Sequence, residues 1–212
     1  MFEFIKKKIE TPEPIPEKHL DDDLFNPLKV HVGGFIELKT IEDNRIYDVL
    51  TIEEWRRDLG IIYIFTDYCL SDDKGNMRIL RVNPKTLTSR DIKDCDMLLM
   101  KSIYEGEYDE EIIGSVKQKE FYIDDDDGHR TVYFALDAGE NGFLTQIKSV
   151  NIDAKDINYG EIRYWDFFRP ATPTDLTTDD IFLFANMNEA NGWITITEGK
   201  TIEQSEIRVY NK

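Results

Sequence analysis

Three stretches of this chain repeat one layout: an apolar run, a short polar loop containing glycine, and a second apolar run. That layout limits the fold more than any other feature. In the first, IYIFTDYCL (62–70) and MRILRV (77–82) flank SDDKGN; in the second, KEFYI (119–123) and RTVYFAL (130–136) flank DDDDGH; in the third, DIFLFANM (180–187) and WITITEG (193–199) flank NEANG. Aromatic and β-branched residues suit a pleated, half-buried surface, and a short glycine-bearing loop reverses the chain, so each stretch predicts an antiparallel hairpin. The first and third each begin around an aspartate (Asp67, Asp180) and differ by a small loop insertion, which admits an internal duplication into related halves of about 28–115 and 116–212. Upstream, Val30, Val32 and Phe35 to Leu38 read as a strand kinked at Gly33 and Gly34.

Two segments carry helix signals. In TIEEWRRDLG (51–60), Thr51 and Glu54 form a capping box and Gly60 supplies a stop. From Arg90 to Tyr104, with Ser89 as cap, Ile92, Cys95, Leu99 and Ile103 recur at spacings of three and four. The predicted fold is therefore α+β and β-dominated, with antiparallel hairpins forming a sheet or partly open barrel and about two packed helices. Residues 1–10 read as a short amphipathic segment. Residues 11–27 read as an extended linker, rich in proline and then aspartate, and 28–212 as the globular body.

Charge narrows the partners. Lys and Arg number 26 against 43 Asp and Glu, a formal charge of −17. Such an excess repels nucleic-acid phosphate and anionic membrane surfaces alike. The acids gather at Asp21 to Asp23, Glu105 to Glu111 and Asp124 to Asp127. The longest uninterrupted apolar run, Ile61 to Phe65, falls far short of the roughly 18 residues of a membrane helix. The start, MFEFIKKKIE, lacks the apolar core of a secretory signal; as a helix it sets Met1, Ile5 and Ile9 beside Lys6, Lys7 and Lys8, which permits weak peripheral membrane contact. The two cysteines, Cys69 and Cys95, lie in apolar surroundings and fit a reducing, cytoplasmic setting.

Catalytic signals are sparse. Gly199-Lys200-Thr201 resembles the tail of a phosphate-binding loop, but position 194, where that loop needs glycine, is Ile194, so Gly199-Lys200 reads as a hairpin turn. Asp124, Asp125, Asp126 and Asp127, before Gly128 and His129, form a candidate for opportunistic cation binding; the EF-hand register fails, because its first ligand position would be Ile123. His19, His31 and His129 form no i, i+4 pair, and no Cys-x-x-Cys occurs. No cofactor motif is present. The densest aromatic cluster is Tyr164, Trp165, Phe167, Phe168 and Arg169. A strand there sends Tyr164 and Phe168 to one face and Trp165 and Phe167 to the other, so both faces are buried or one is a partner-binding surface. The acidic run from Glu105 to Glu111 reads as a solvated linker or an acidic docking surface.

The order of features resembles that of the YjfK-like bacterial proteins. The matching parts are MFEFIKKK, LKVHVGGFIEL, the strand pair around YIFTDY, GSVKQKEFYIDDDDGHRTVYF, RYWDFFR, and LTTDDIFLFANMNEANGWITITEGKTI, together covering most of residues 28 to 210. The chain departs from the family pattern over Glu42 to Gly60, where a capped helix is predicted in place of strands. The resemblance implies a bacterial cytoplasmic protein encoded beside phage-shock-type membrane-remodelling proteins and ATP-grasp ligases; it brings no catalytic residues. Together these features predict a non-enzymatic protein-binding or adaptor module, with another protein as partner, linked to membrane stress. The alternatives are an enzyme with a spatially assembled site, drawing on His31, His129, Asp67 and Arg169, and an acidic mimic of nucleic acid.

Overall fold

A computed structural model describes residues 24–58, 62–86, 91–107, 109–124, 127–136, 141–151, 157–172 and 175–211. The predicted amphipathic terminus and nearly all of the linker, through residue 23, lie outside the described residues, as do Gly60, Ser89, Asp125 and Asp126.

All three predicted hairpins form: β3 (Ile62–Ser71) with β4 (Met77–Pro84), β6 (Glu120–Asp124) with β7 (Arg130–Ala135), and β10 (Asp175–Asn188) with β11 (Trp193–Thr201). Local chemistry sets the first turn. The Asp72 carboxylate accepts from the backbone N–H of Lys74 at 2.9 Å and of Asn76 at 2.7 Å, and Arg45 closes on its other oxygen at 3.0 Å.

The hairpins join a closed ring, not a sheet or partly open barrel. Strands β2 (Asn44–Asp58), β3, β4, β5 (Cys95–Glu107), β11, β10, β9 (Ile157–Thr172) and β8 (Phe143–Asn151) pair in that order, all antiparallel, and β8 returns to β2. Eight strands thus close a barrel. The two longest strands extend beyond it. The first part of β2 pairs with β1 (Phe35–Lys39), which pairs in turn with β12 (Ile207–Tyr210), and the later part of β9 pairs with β7.

Both predicted helices are corrected. Residues 51–58 are the second half of β2, hydrogen-bonded to β3 on one edge and to β8 on the other. Two full ladders outweigh a capping box, which stabilises a helix by only ~1–2 kcal/mol. Residues 95–104 lie in β5, preceded by a 3-10 turn at Ile92–Asp94. Met97, Leu98, Leu99 and Met100 are all buried there because the strand is covered on both faces, and such an apolar run does not reveal its period. Among the described residues one α-helix occurs, α1 (Glu110–Val116); it starts at the end of the acidic stretch predicted as a solvated linker, Glu105 to Glu111, whose first three residues belong to β5. Asp109 caps it, accepting from Glu111 and Ile112 N–H at 2.8 and 3.1 Å, and Glu110 and Glu111 favour its positive end.

Alternation along the strands creates three cores. Ile36, Leu38, Tyr47, Leu70, Leu80, Leu99 and Ile207 pack on the outer face of the β2–β5 wall, under β1 and β12. Trp165, Phe167, Leu183 and Ile194 pack on the outer face of β9–β11, under α1, β6 and β7. Trp55, Phe65, Leu98, Met100, Ile147, Tyr164 and Phe184, drawn from six strands around the ring, meet inside it. Gly142 admits the close approach of the second core: its φ is +62° and a Cβ there would meet the Trp165 ring at 2.6 Å.

Candidate functional site

The barrel interior is where apolar and charged groups are forced together. On β2, the pairing registers send Glu53, Trp55 and Arg57 inward, opposite Asp67 and Phe65 of β3; Asp67 pairs with Arg81 of β4. From the far wall come Phe143, Ile147, Tyr164, Asp166, Phe182 and Phe184. A barrel of eight strands has an interior that side chains fill or that holds one small ligand.

Arg81 is held as a buried cation with each of its three guanidinium nitrogens hydrogen-bonded. Its Nε and Nη2 donate to the two oxygens of Asp67, both at 2.7 Å, and Nη1 donates to the Tyr164 hydroxyl. Its guanidinium carbon lies 4.2 Å from the Phe65 ring centre and 4.6 Å from that of Phe184. Burial alone would lower the Arg81 pKa, but the Asp67 charge and the hydrogen bonds of both partners more than reverse this, so it stays charged. Burial raises the Tyr164 pKa above its ordinary value, which keeps the phenol protonated. Burial, followed by the negative charge of Asp67, pushes the Glu53 carboxyl up to about 7.

Arg57 is held differently. It is 6% exposed, with its guanidinium carbon 4.3 Å from the Tyr164 ring centre and 4.5 Å from that of Phe143. Its Nη1 donates to Asp166 at 3.2 Å, while Nε has no acceptor. Both arginines line a cavity of about 380 Å³ at one end of the barrel. Phe65, Leu98, Leu136, Phe182 and Phe184 supply its apolar wall, and Asn83, Asp96 and Thr201 the rest of its polar rim. Asp96 is neutralised by Lys85 at 3.1 Å. A half-open cavity with aromatic and aliphatic walls and a few convergent polar groups at a barrel mouth has the make-up of a small-molecule site.

The sequence candidates fall in several places. Tyr164 faces the lumen; Trp165 and Phe167 lie in the core under α1, and all three are buried. Phe168 and Arg169 follow on β9 and are partly buried, with Phe168 against Phe134. Asp67 is engaged with Arg81. His31 is exposed, its backbone N–H donating to Asn211, and His129 is exposed in the β6–β7 turn. Asp124 is held by Arg130 through contacts of 2.7 and 2.9 Å, and Asp127 lies in the same turn. Among the described residues no group of three or more His, Cys, Asp and Glu is placed to hold a metal. Gly199 and Lys200, predicted as a hairpin turn, lie within β11, paired with Met100 and Leu99; Lys200 also meets Glu42 at 2.7 Å. Arg57, Arg81, Asp166, Phe182 and Phe184 carry no sequence motif. The signal that would have found them is the strand alternation of Glu53, Trp55 and Arg57, hidden because its inward positions are charged.

Among the described residues no helix is long and apolar enough to cross a membrane. No family model matches this chain, nor does any curated protein or solved structure.

Proposed function

We propose that this chain is a non-enzymatic binding module whose closed barrel takes a small, largely apolar molecule at its open end. The carrying observation is the 380 Å³ cavity walled by Phe65, Phe182 and Phe184 and lined by a nearly buried arginine whose Nε has no partner. Trp55 stacks on Phe65 with ring centres 5.5 Å apart, so its fluorescence reports on occupancy of the cavity. Titration with a neutral apolar probe such as 2-naphthol should change Trp55 emission and raise the melting temperature. Leu136→Trp, at the half-exposed rim, should block both changes while leaving the fold intact by circular dichroism. A wild-type protein that shows neither change removes this reading.

A second reading keeps the protein partner. Leu144, Ile157 and Tyr159 are 53%, 47% and 77% exposed on the outer face of β8 and β9, beside the Arg163–Glu189 ion pair. The YjfK-like resemblance would make that partner a bacterial membrane-stress component. A pull-down with wild-type protein and with Leu144→Asp/Tyr159→Asp tests it: a stoichiometric protein should be recovered by the first and lost by the second.

A further inference from the structure

The geometry points to a specific ligand class for the barrel mouth: a monocarboxylate with an apolar, ring-sized body, its carboxylate held by the in-plane edge of Arg57. This rests on the binding-module reading and names what the module selects.

The two lumen arginines differ in how fully they are used. A guanidinium has five N–H donors in one plane. Arg81 spends three of them, two on Asp67 and one on Tyr164. Arg57 spends one, at 3.2 Å on Asp166, which is its only hydrogen-bond acceptor among the described residues; its Nε is buried with none. The rings of Tyr164 and Phe143, 4.3 and 4.5 Å from the guanidinium carbon, supply cation–π contact and no further acceptor for Arg57. A cation removed from water needs more compensation than one long monodentate contact supplies. A bidentate acceptor at the mouth would provide it.

The same surroundings select the charge and shape of that acceptor. A cationic ligand is disfavoured, because the aromatic faces that would cradle it already carry Arg57 and Arg81. Arg81 with Asp67, and Lys85 with Asp96, are self-compensating pairs, so the unspent polarity of the cavity lies in the Arg57–Asp166 pair, where Arg57 Nε lacks an acceptor and Asp166 Oδ1 lacks a donor among the described residues. A dianion such as a phosphate monoester would meet Asp166 beside a single available arginine, within a chain of net charge −17. A carboxylate carries one charge and presents the planar fork that guanidinium matches. Phe65, Leu98, Phe182 and Phe184 then receive the apolar body.

Calorimetric titration of the full chain with 3-phenylpropanoate, with 3-phenylpropanamide as its neutral counterpart, tests this directly. The acid should bind, the amide should bind ~10-fold or more weakly, and Arg57→Met should lose a similar factor for the acid alone. Equal affinity for acid and amide overturns the inference, as does full acid affinity in a folded Arg57→Met. The acid–amide comparison needs no variant, so a misfolded Arg57→Met leaves it intact. If 2-naphthol enters the cavity and the acid does not, the carboxylate assignment falls and the binding barrel stands; if neither enters, both fall.

Discussion

Arg81 and Asp67 lie opposite one another on β4 and β3 and join through two contacts of 2.7 Å, with neither side chain more than 3% exposed. Removing one partner strands the other in an aromatic interior. Asp67→Asn or Arg81→Met should therefore lower the unfolding free energy by roughly 3–5 kcal/mol. The double replacement Asp67→Asn/Arg81→Met should cost clearly less than the sum, because it leaves no buried charge. Urea denaturation of the four proteins measures this, and additive losses would show that the pair is not coupled.

Glu53 makes stability fall as pH rises. Its carboxyl is pushed up to about 7 in the folded chain, by burial first and then by Asp67, from an ordinary value of 4.5. The folded state thus binds a proton that the unfolded chain gives up near 4.5. The associated stability is fully present below that pH and is lost as pH climbs to about 7. Glu53→Gln should flatten this window and exceed the wild type by roughly 1–3 kcal/mol at pH 8. Denaturation midpoints from pH 4.5 to 8 decide it; parallel wild-type and variant curves would contradict the assignment.

Gly199 is small because Met100 lies against it. A Cβ at Gly199 would come within 2.5 Å of Met100 Cγ, and Met100 is buried in the barrel at 1% exposure, with little room to turn away. Gly199→Val should cost about 1–3 kcal/mol through overpacking. Met100→Ala in the same chain should recover part of that loss, so a double-mutant cycle with zero coupling would count against the contact.

Neither thiol should react in the folded protein. Burial pushes Cys69 well above its usual range, with the charges of Glu53 and Asp67 adding to the shift, and Cys95 is raised by burial and then by nearby aspartates. Both are free thiols. A thiolate-seeking reagent at pH 8 should label them only on global unfolding, with a rate that follows urea concentration. Fast labelling in native buffer would mean that one of them is accessible.

The amino-acid sequence by itself determined the three hairpins, because aromatic and β-branched runs and the chemistry of turns such as that at Asp72 act over a few residues. It also determined the two-faced character of Tyr164 to Phe168, since side chains alternate along any strand. Tertiary structure alone decided that 51–58 is a strand and that the sheet closes. β2 meets β8 about a hundred residues along the chain, with the Thr51 hydroxyl donating to Asn151 at 2.8 Å, and no local pattern encodes such a pairing. The candidate site was hidden for a related reason. Arg57, Asp67 and Arg81 are charged residues on an inward face, stable there only because distant strands bring each a partner or an aromatic ring. In the linear sequence Asp67 stands only among the possible members of an assembled site, and nothing local singles out Arg57 or Arg81.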